Sequence, residues 1–131
     1  MTRPVLLDAS CVLAWAFDEP GAERVEAVLP DAYITAVNMA EVIAKLDRLG
    51  EPGASFADDL VAAGLTVVPM GWPQAALITT VVAREAPTRR LSLGDLCCLS
   101  YAIQQDMDVW TADRDWGRLG LPATVSVIRG K

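Results

Sequence analysis

Acidic side chains stand at four separate places in this chain where an apolar strand ends or a helix begins. Asp8 follows the first apolar run, and Asp113 follows the end of a later one. Asp95 lies in the first turn of a predicted helix, and Glu41 lies on the helix after another predicted strand. Ligands of open α/β sheets bind beyond the carboxyl ends of the strands, so these four acids could converge at one edge.

The types of residue available narrow the chemistry of such a site. The chain has no histidine, which excludes Ser-His-Asp and Cys-His catalysis and His-ligated zinc or haem. It also has no glycine-rich loop of the kind that binds nucleotides. A cluster of oxygen ligands alone selects magnesium or manganese, and such ions suit phosphodiester hydrolysis because they activate water and offset charge on phosphate oxygens.

Three of the acids also have a purely structural interpretation. Asp8 could be a polar strand terminus, with Ser10 as the N-cap of the helix that follows. Asp95 comes three residues after Ser92, the spacing of a capping box. Asp113 could belong to a solvated turn. Each acid by itself is therefore a weak signal of function.

Glu41 is harder to explain structurally. Its neighbours at 39–44 are apolar, so we expect it at the margin of a buried face. An acid in that position needs a partner or a metal ion. Lys45, four residues later on the same helix, is the ordinary partner available.

Short apolar strands alternate with helices along the whole chain. Strands are predicted at 4–7, 32–35, 66–68, 108–111 and 124–128. Residues 8–10 are predicted to begin a helix that runs to residue 17. Further helices are predicted at 22–29, 37–49, 54–63, 73–86 and 92–105, with a helical turn at 116–119. This order predicts an α/β fold, a three-layer sandwich around a mostly parallel sheet of about five strands. The length of 131 residues fits one domain, 1–131.

The composition adds three expectations. No window of about 18 uncharged apolar residues exists, and an acid comes too early for a signal peptide, so we expect a cytoplasmic protein without membrane spans. Cys11, Cys97 and Cys98 are expected to be small buried hydrophobic residues. The net charge of −6 opposes nucleic-acid binding, unless bound cations reverse the local sign.

The order of four motifs is more specific than any single acid. The motifs are Val5-Leu6-Leu7-Asp8-Ala9-Ser10, Val37-Asn38-Met39-Ala40-Glu41-Val42, Leu91-Ser92-Leu93-Gly94-Asp95 and Val109-Trp110-Thr111-Ala112-Asp113-Arg114. In this order and at this spacing they closely resemble the PIN-domain ribonucleases. Within that family the chain is most similar to the VapC-type toxins of toxin–antitoxin pairs, and the similarity covers essentially the whole chain.

The resemblance implies an endoribonuclease that uses magnesium or manganese and is inhibited by a cognate antitoxin. By position, Asp8 and Asp95 match the principal metal ligands. Glu41 and Asp113 match the other two acids of a catalytic quartet, as ligands directly or through water. The side chains that line the site would be Ser10, Thr111 and, with a lesser role, Asp115.

The resemblance leaves the contacts to RNA open. Many relatives have a basic residue after the third acid, where this chain has Leu96. Candidates for RNA binding are instead Arg84, Arg89, Arg90, Arg114 and Arg118, although any one of them could be an ordinary surface charge.

The partners implied are a second copy of the chain and an antitoxin segment that lies along its helices. The first helix has more apolar surface, in Val12, Leu13, Trp15, Ala16 and Phe17, than one face against a sheet should need. Trp72 and Trp110 are further aromatic side chains that could take part in such an interface. Burial of all these apolar side chains in the core is an equally good interpretation. The antitoxin would present an arginine to the acid cluster.

Three other functions fit parts of the pattern. A PIN-like binding module without turnover would retain the fold, but the acid quartet is complete. A receiver-type phosphoacceptor needs an acid pair at the first strand and a late lysine, and the chain has Asp8 alone there. A metal-dependent DNA nuclease of related fold usually carries additional elements.

Overall fold

The structure is a computed structural model that describes residues 3–85 and 91–129, apart from the side chains of residues 79–85. Its strands are β1 (Val5–Leu7), β2 (Tyr33–Thr35), β3 (Thr66–Val68), β4 (Asp108–Thr111) and β5 (Val125–Val127). Its helices are α1 (Ala9–Ala16), α2 (Ala22–Val28), α3 (Ala36–Arg48), α4 (Gly53–Ala62), α5 (Trp72–Glu85) and α6 (Leu93–Gln105), with short 3₁₀ helices at Leu29–Asp31 and Arg114–Arg118. The predicted elements are all present, with boundaries shifted by no more than two residues. The predicted end of α5 at residue 86 lies outside the described residues.

The strands form one five-stranded sheet in the order β3-β2-β1-β4-β5. Every strand pairing found in residues 3–85 and 91–129 is parallel, with Leu6 opposite both Tyr33 and Val109. The chain builds β2 and β3 on one side of β1 and later returns to place β4 and β5 on the other. The reversal in strand order therefore lies beside β1, where ligands bind in folds of this kind.

Helices cover both faces of the sheet, as the prediction of a three-layer sandwich requires. Consecutive side chains of a strand point to opposite faces, so Leu6 and Leu7 enter different layers, and both are fully buried. Leu7 packs in a cluster with residues of α1, α2, α3 and α4, whereas Leu6 packs with residues of α6 and with Trp116. Burial of both faces explains why the strands are continuous apolar runs.

Three helices have their N-terminal ends at the carboxyl edge of the sheet. The first, α1, begins directly after β1, and α3 begins directly after β2. The third, α6, contacts α3 and leads into β4. Cys11, Cys97 and Cys98 are buried free thiols, as predicted. Across the described part of the chain, no helix is both long and apolar enough to cross a bilayer.

Candidate active site

Asp8 is a buried carboxylate directly after β1, with 4% of its surface exposed. Its Oδ1 accepts hydrogen bonds from the Ser10 hydroxyl at 2.6 Å and from the Cys11 backbone N–H at 3.1 Å. Its Oδ2 accepts one from the Thr111 hydroxyl at 2.7 Å. The bond from Cys11 makes Asp8 the N-cap of α1. The predicted N-cap, Ser10, was wrong, because Asp8 has the extended backbone of a cap and already accepts the helix N–H.

Ser10 instead ties α1 to the segment that follows β4. Its Oγ accepts a hydrogen bond from the Ala112 backbone N–H at 2.9 Å while donating to Asp8. Thr111 does the same from the other side, since its Oγ1 accepts from the Asp113 backbone N–H at 3.0 Å. Two hydroxyls therefore connect the buried carboxylate to the loop that carries Asp113.

Burial dominates the electrostatics of Asp8. Loss of hydration raises the pKa of its carboxyl from 3.8 to about 6, although the hydrogen bonds from Ser10 and Thr111 act to lower it. The negative charge of Asp95 also raises this pKa. Asp8 and Asp95 are thus close enough to repel each other, although they are 87 residues apart in sequence.

Glu41 reaches the same edge from α3 and is positioned by Asn38. The buried Asn38 amide donates to Glu41 Oε1 at 2.8 Å and to the Gly94 carbonyl at 3.1 Å, and its own oxygen accepts from the Thr35 hydroxyl at 2.7 Å. A Cβ at Gly94 would overlap the Glu41 carboxylate, so a larger residue there would displace this carboxylate from its position. Sequence reasoning missed Asn38, although its place three residues before Glu41 on one helix face was a signal.

Glu41 was expected at the margin of a buried face with a partner or a metal ion, and Lys45 was the ordinary partner available. The structure supplies a different partner. The Glu41 side chain is exposed, and its carboxylate lies beside Gly94 of α6. The ion pairs found among the described residues do not join it to Lys45. Asn38 supplies the hydrogen bond instead.

Asp95 begins α6 in the predicted capping box. Its backbone N–H donates to the Ser92 hydroxyl at 3.1 Å, and its Oδ2 accepts from the Ser92 N–H at 3.1 Å. The structural role does not exclude a functional one, because the box uses one of the two carboxylate oxygens. Asp95 directly follows Gly94, the residue that lies beside the Glu41 carboxylate.

Asp113 and Asp115 lie in the exposed turn after β4. Asp113 is the N-cap of the 3₁₀ helix, and its Oδ1 accepts from the Asp115 N–H at 2.9 Å. Asp115 turns toward Arg118, with an oxygen 3.8 Å from the guanidinium, in a solvent-exposed pair that contributes little stability. Asp113 is therefore joined to the Asp8 network through Thr111, whereas Asp115 is one step further away.

The donor set fits a hard divalent cation. Glu41, Asp95 and Asp113 each use one oxygen in a hydrogen bond, and the second oxygen of each accepts none from the described residues. All the donors are oxygens, which favours magnesium or manganese. A cation would also relieve the repulsion between Asp8 and Asp95. Within the described residues, no three acidic or cysteine side chains already converge closely enough to enclose an ion, so the exposed carboxylates would have to rotate inward.

Two of the five predicted RNA-binding arginines can be located in full. Arg114 and Arg118 are exposed on the turn after β4. Arg89 and Arg90, and the side chain of Arg84, lie outside the described residues. Lys45 and Arg129 border a groove beside Ser10, and neither was among the predicted RNA-binding residues. Lys45 follows Glu41 by one helical turn, which was a usable signal, whereas nothing in the sequence marked Arg129.

The fold is a parallel α/β sheet with carboxylates at its switch point, the place where ligands bind in sheets of this kind. The PIN domain family model matches residues 5–121. The chain therefore belongs to the PIN domain family, as the motifs predicted.

Solved structures show the same fold. The DNA-bound VapBC complex from Salmonella typhimurium includes a chain with a TM-score of 0.75 and 15% identity, over 97% of this chain and 99% of that one. VapC20 of Mycobacterium tuberculosis, described as a sarcin–ricin loop cleaving toxin, has a TM-score of 0.73 and 14% identity, over 89% and 95%. VapBC-5 of the same organism reaches 23% identity with a TM-score of 0.61, over 98% and 100%. A comparison with curated protein sequences finds no significant match.

The raised pKa of Asp8 predicts a pH-dependent gain in stability from Asp8→Asn in metal-free buffer. Between pH 3.8 and about 6 the folded protein binds more protons at Asp8 than the unfolded chain, so the free energy of unfolding falls as pH rises. Asparagine removes this loss while retaining the shape of the side chain. We expect Asp8→Asn to be more stable by on the order of 2 kcal/mol at pH 7.5 in EDTA, and the gain to vanish near pH 4.

Thermal or urea unfolding at several pH values measures this difference. Asp113→Asn is the matched control, because the same change at an exposed carboxylate should give no comparable gain. An Asp8→Asn protein that is equally or less stable than wild type at pH 7.5 would contradict the burial argument.

Proposed function

We propose that this chain is a magnesium- or manganese-dependent endoribonuclease and the toxin of a type II toxin–antitoxin pair. The observation that carries the proposal is the set of four carboxylates at the switch point of the sheet, three of which have an oxygen that accepts no hydrogen bond from the described residues. Membership of the PIN domain family supports it, as do neighbours described as a sarcin–ricin loop cleaving toxin and as VapBC complexes. Residues 1–131 would act as one nuclease domain in the cytoplasm.

In this proposal Asp8 and Asp95 bind the cation directly, and Glu41 and Asp113 complete the set directly or through water. A bound divalent cation supplies Lewis acidity and offsets the charge that develops on the phosphate during hydrolysis. Ser10 and Thr111 line the site and orient Asp8 with their hydroxyls. Asp115 has a lesser role in the site.

The chain's own residues preorganise this arrangement. Both oxygens of Asp8 are fixed, because three donors from two segments hold them. Asn38 holds one oxygen of Glu41 while also binding the backbone of α6 at Gly94. Asp8, held in this way, loses little conformational entropy when a cation or substrate arrives, which favours catalysis, whereas the exposed carboxylates rotate toward it.

The helical face of α1, α2 and α4 fits the proposed antitoxin. Two adjacent hollows of about 410 and 300 Å³ lie on it and share Phe56 and Asp59. Trp15 packs against Phe56 with ring centroids 5.7 Å apart, and Phe17 is 40% exposed. Glu26, Glu51 and Asp59 border these apolar hollows, so a partner with basic side chains is complementary. One arginine of that partner would reach the acid cluster, and the toxin itself would be a homodimer.

The first expected outcome is metal-dependent RNA cleavage. The purified protein should cut a structured RNA with magnesium or manganese, and EDTA should stop the cleavage. Asp8→Asn and Asp95→Asn should abolish it without unfolding the protein, because each change keeps the side-chain shape and removes ligand charge. Cleavage that persists in chelator would contradict the metal mechanism, and cleavage of DNA in place of RNA would favour the related DNA nucleases.

A second expected outcome ranks the remaining acids. Glu41→Gln and Asp113→Asn should lower kcat/KM by about 100-fold, whereas Asp115→Asn should cost less than about tenfold, because Asp115 pairs with Arg118 away from the network. Initial rates on one RNA substrate give the comparison. Equal losses at 113 and 115 would show that the site extends further into the turn than proposed.

A third expected outcome concerns the antitoxin. Co-expression with the small protein of the adjacent reading frame should give a soluble complex with suppressed ribonuclease activity. Asp59→Lys should weaken that complex, because it reverses a charge that borders both hollows, whereas Asp58→Lys on the same helix should not. If the partner leaves the activity untouched, the toxin proposal fails and the nuclease proposal stands.

A further inference from the structure

The groove beside Ser10 has a volume of about 420 Å³ and lies next to the four acids of the proposed site. Ser10, which donates to Asp8, forms one end of it. The remaining lining residues are Leu13, Phe17, Glu19, Lys45, Leu49 and Arg129. We call it the Lys45–Arg129 groove. In a chain of net charge −6 it places two cations against a single acid, next to four carboxylates.

Arg129 is held weakly in this groove. One guanidinium nitrogen lies 3.4 Å from Glu19 Oε1, in a long and partly exposed ion pair. The Nε of Arg129 is the one buried side-chain nitrogen or oxygen, within residues 3–78 and 91–129, that has no hydrogen-bond partner. A guanidinium has five N–H donors and prefers a planar anion that accepts two of them. The Nε is shielded from solvent, so an anion in the groove would bond to the rest of this side chain, which is 28% exposed, and would add to the single long ion pair.

The groove also has an apolar and accessible part of its lining. Phe17, at the end of α1, is 40% exposed, and Leu49, at the end of α3, is 53% exposed. Lys45 is exposed on α3, one helical turn before Leu49. The groove thus presents an aromatic ring and two cations within one concave surface. Proteins that bind unpaired nucleotides combine these same features, since bases stack on aromatic rings and phosphates bind cations.

We propose that the Lys45–Arg129 groove binds the unpaired RNA nucleotide adjacent to the phosphodiester that is cut. Lys45 and Arg129 bind its phosphate, and its base stacks on Phe17. Ser10 marks the boundary between this nucleotide and the acid cluster. The inference rests on the proposed ribonuclease function and adds the side chains that position the RNA. It also explains how an acidic protein retains its substrate, because the cations lie beside the site.

Neutral substitutions test the groove, with binding and cleavage measured separately. Lys45→Gln and Arg129→Gln should each weaken binding of a short fluorescein-labelled single-stranded RNA about three- to tenfold. Each should also lower the slope of log affinity against log salt by about 0.7, which a purely structural role would not do. Phe17→Leu should weaken binding about fivefold and leave the salt slope unchanged. In cleavage assays all three changes should raise KM more than they lower kcat.

Arg48→Gln is the matched control, because Arg48 is an exposed cation of α3 outside the groove. It should leave affinity and salt slope at their wild-type values. If Lys45→Gln and Arg129→Gln proteins bind RNA like the control, the groove proposal is overturned, whereas RNA cleavage by wild type would still support the ribonuclease. If those variants instead lose binding to the antitoxin and keep that to RNA, the groove is a protein interface and the proposal is equally overturned. A wild-type protein that cuts no RNA would count against the ribonuclease and not against binding at the groove.

Discussion

The hydrogen bonding of one buried carboxylate determines how this edge of the molecule is built. Asp8 directly follows the central strand β1 and caps α1. It accepts hydrogen bonds from two hydroxyls, those of Ser10 in α1 and Thr111 in β4. Buried polar groups require such partners, and here the partners come from segments about 100 residues apart in sequence. The network therefore fixes β1, α1 and the loop after β4 relative to each other. Side chains attached to those segments inherit their positions from it.

The same network places negative charge where the protein alone does not neutralise it. Burial and Asp95 both raise the pKa of Asp8, so the metal-free fold is less stable near neutral pH than it would be with a neutral side chain there. Stability given up at a cluster of this kind is a common property of functional sites. A bound divalent cation would instead stabilise the fold, because it attracts the carboxylates that otherwise repel one another. In the neighbouring groove, a phosphate would likewise stabilise the weakly bonded Arg129 guanidinium by accepting hydrogen bonds from it.

The fold was predictable from the sequence because its signals are local. Buried parallel strands are short apolar runs, and each is separated from the next by helical periodicity, so element types and order follow from the pattern. The capping box at Ser92 and Asp95 was predictable for the same reason.

The predictions that failed depended on three-dimensional geometry, which the spacing of residues in the sequence does not contain. Ser10 was assigned the cap that Asp8 occupies, since both residues have suitable side chains. Lys45 was the partner that spacing offered to Glu41, whereas Asn38 binds its carboxylate and also the backbone of α6 at Gly94. Arg129 enters the groove only because β5 lies at the edge of the sheet next to β4.

The central claim is that acids from four segments form a single cation site around Asp8. Titration of metal-free protein with Mn²⁺, with free Mn²⁺ followed by its paramagnetic resonance signal, tests it most directly. The account predicts saturable binding by wild type, loss of most of the affinity in both Asp8→Asn and Asp95→Asn, and little change in Asp115→Asn. If the Asp8→Asn and Asp95→Asn proteins bind Mn²⁺ as tightly as wild type does, the four acids do not form one site and the account is contradicted.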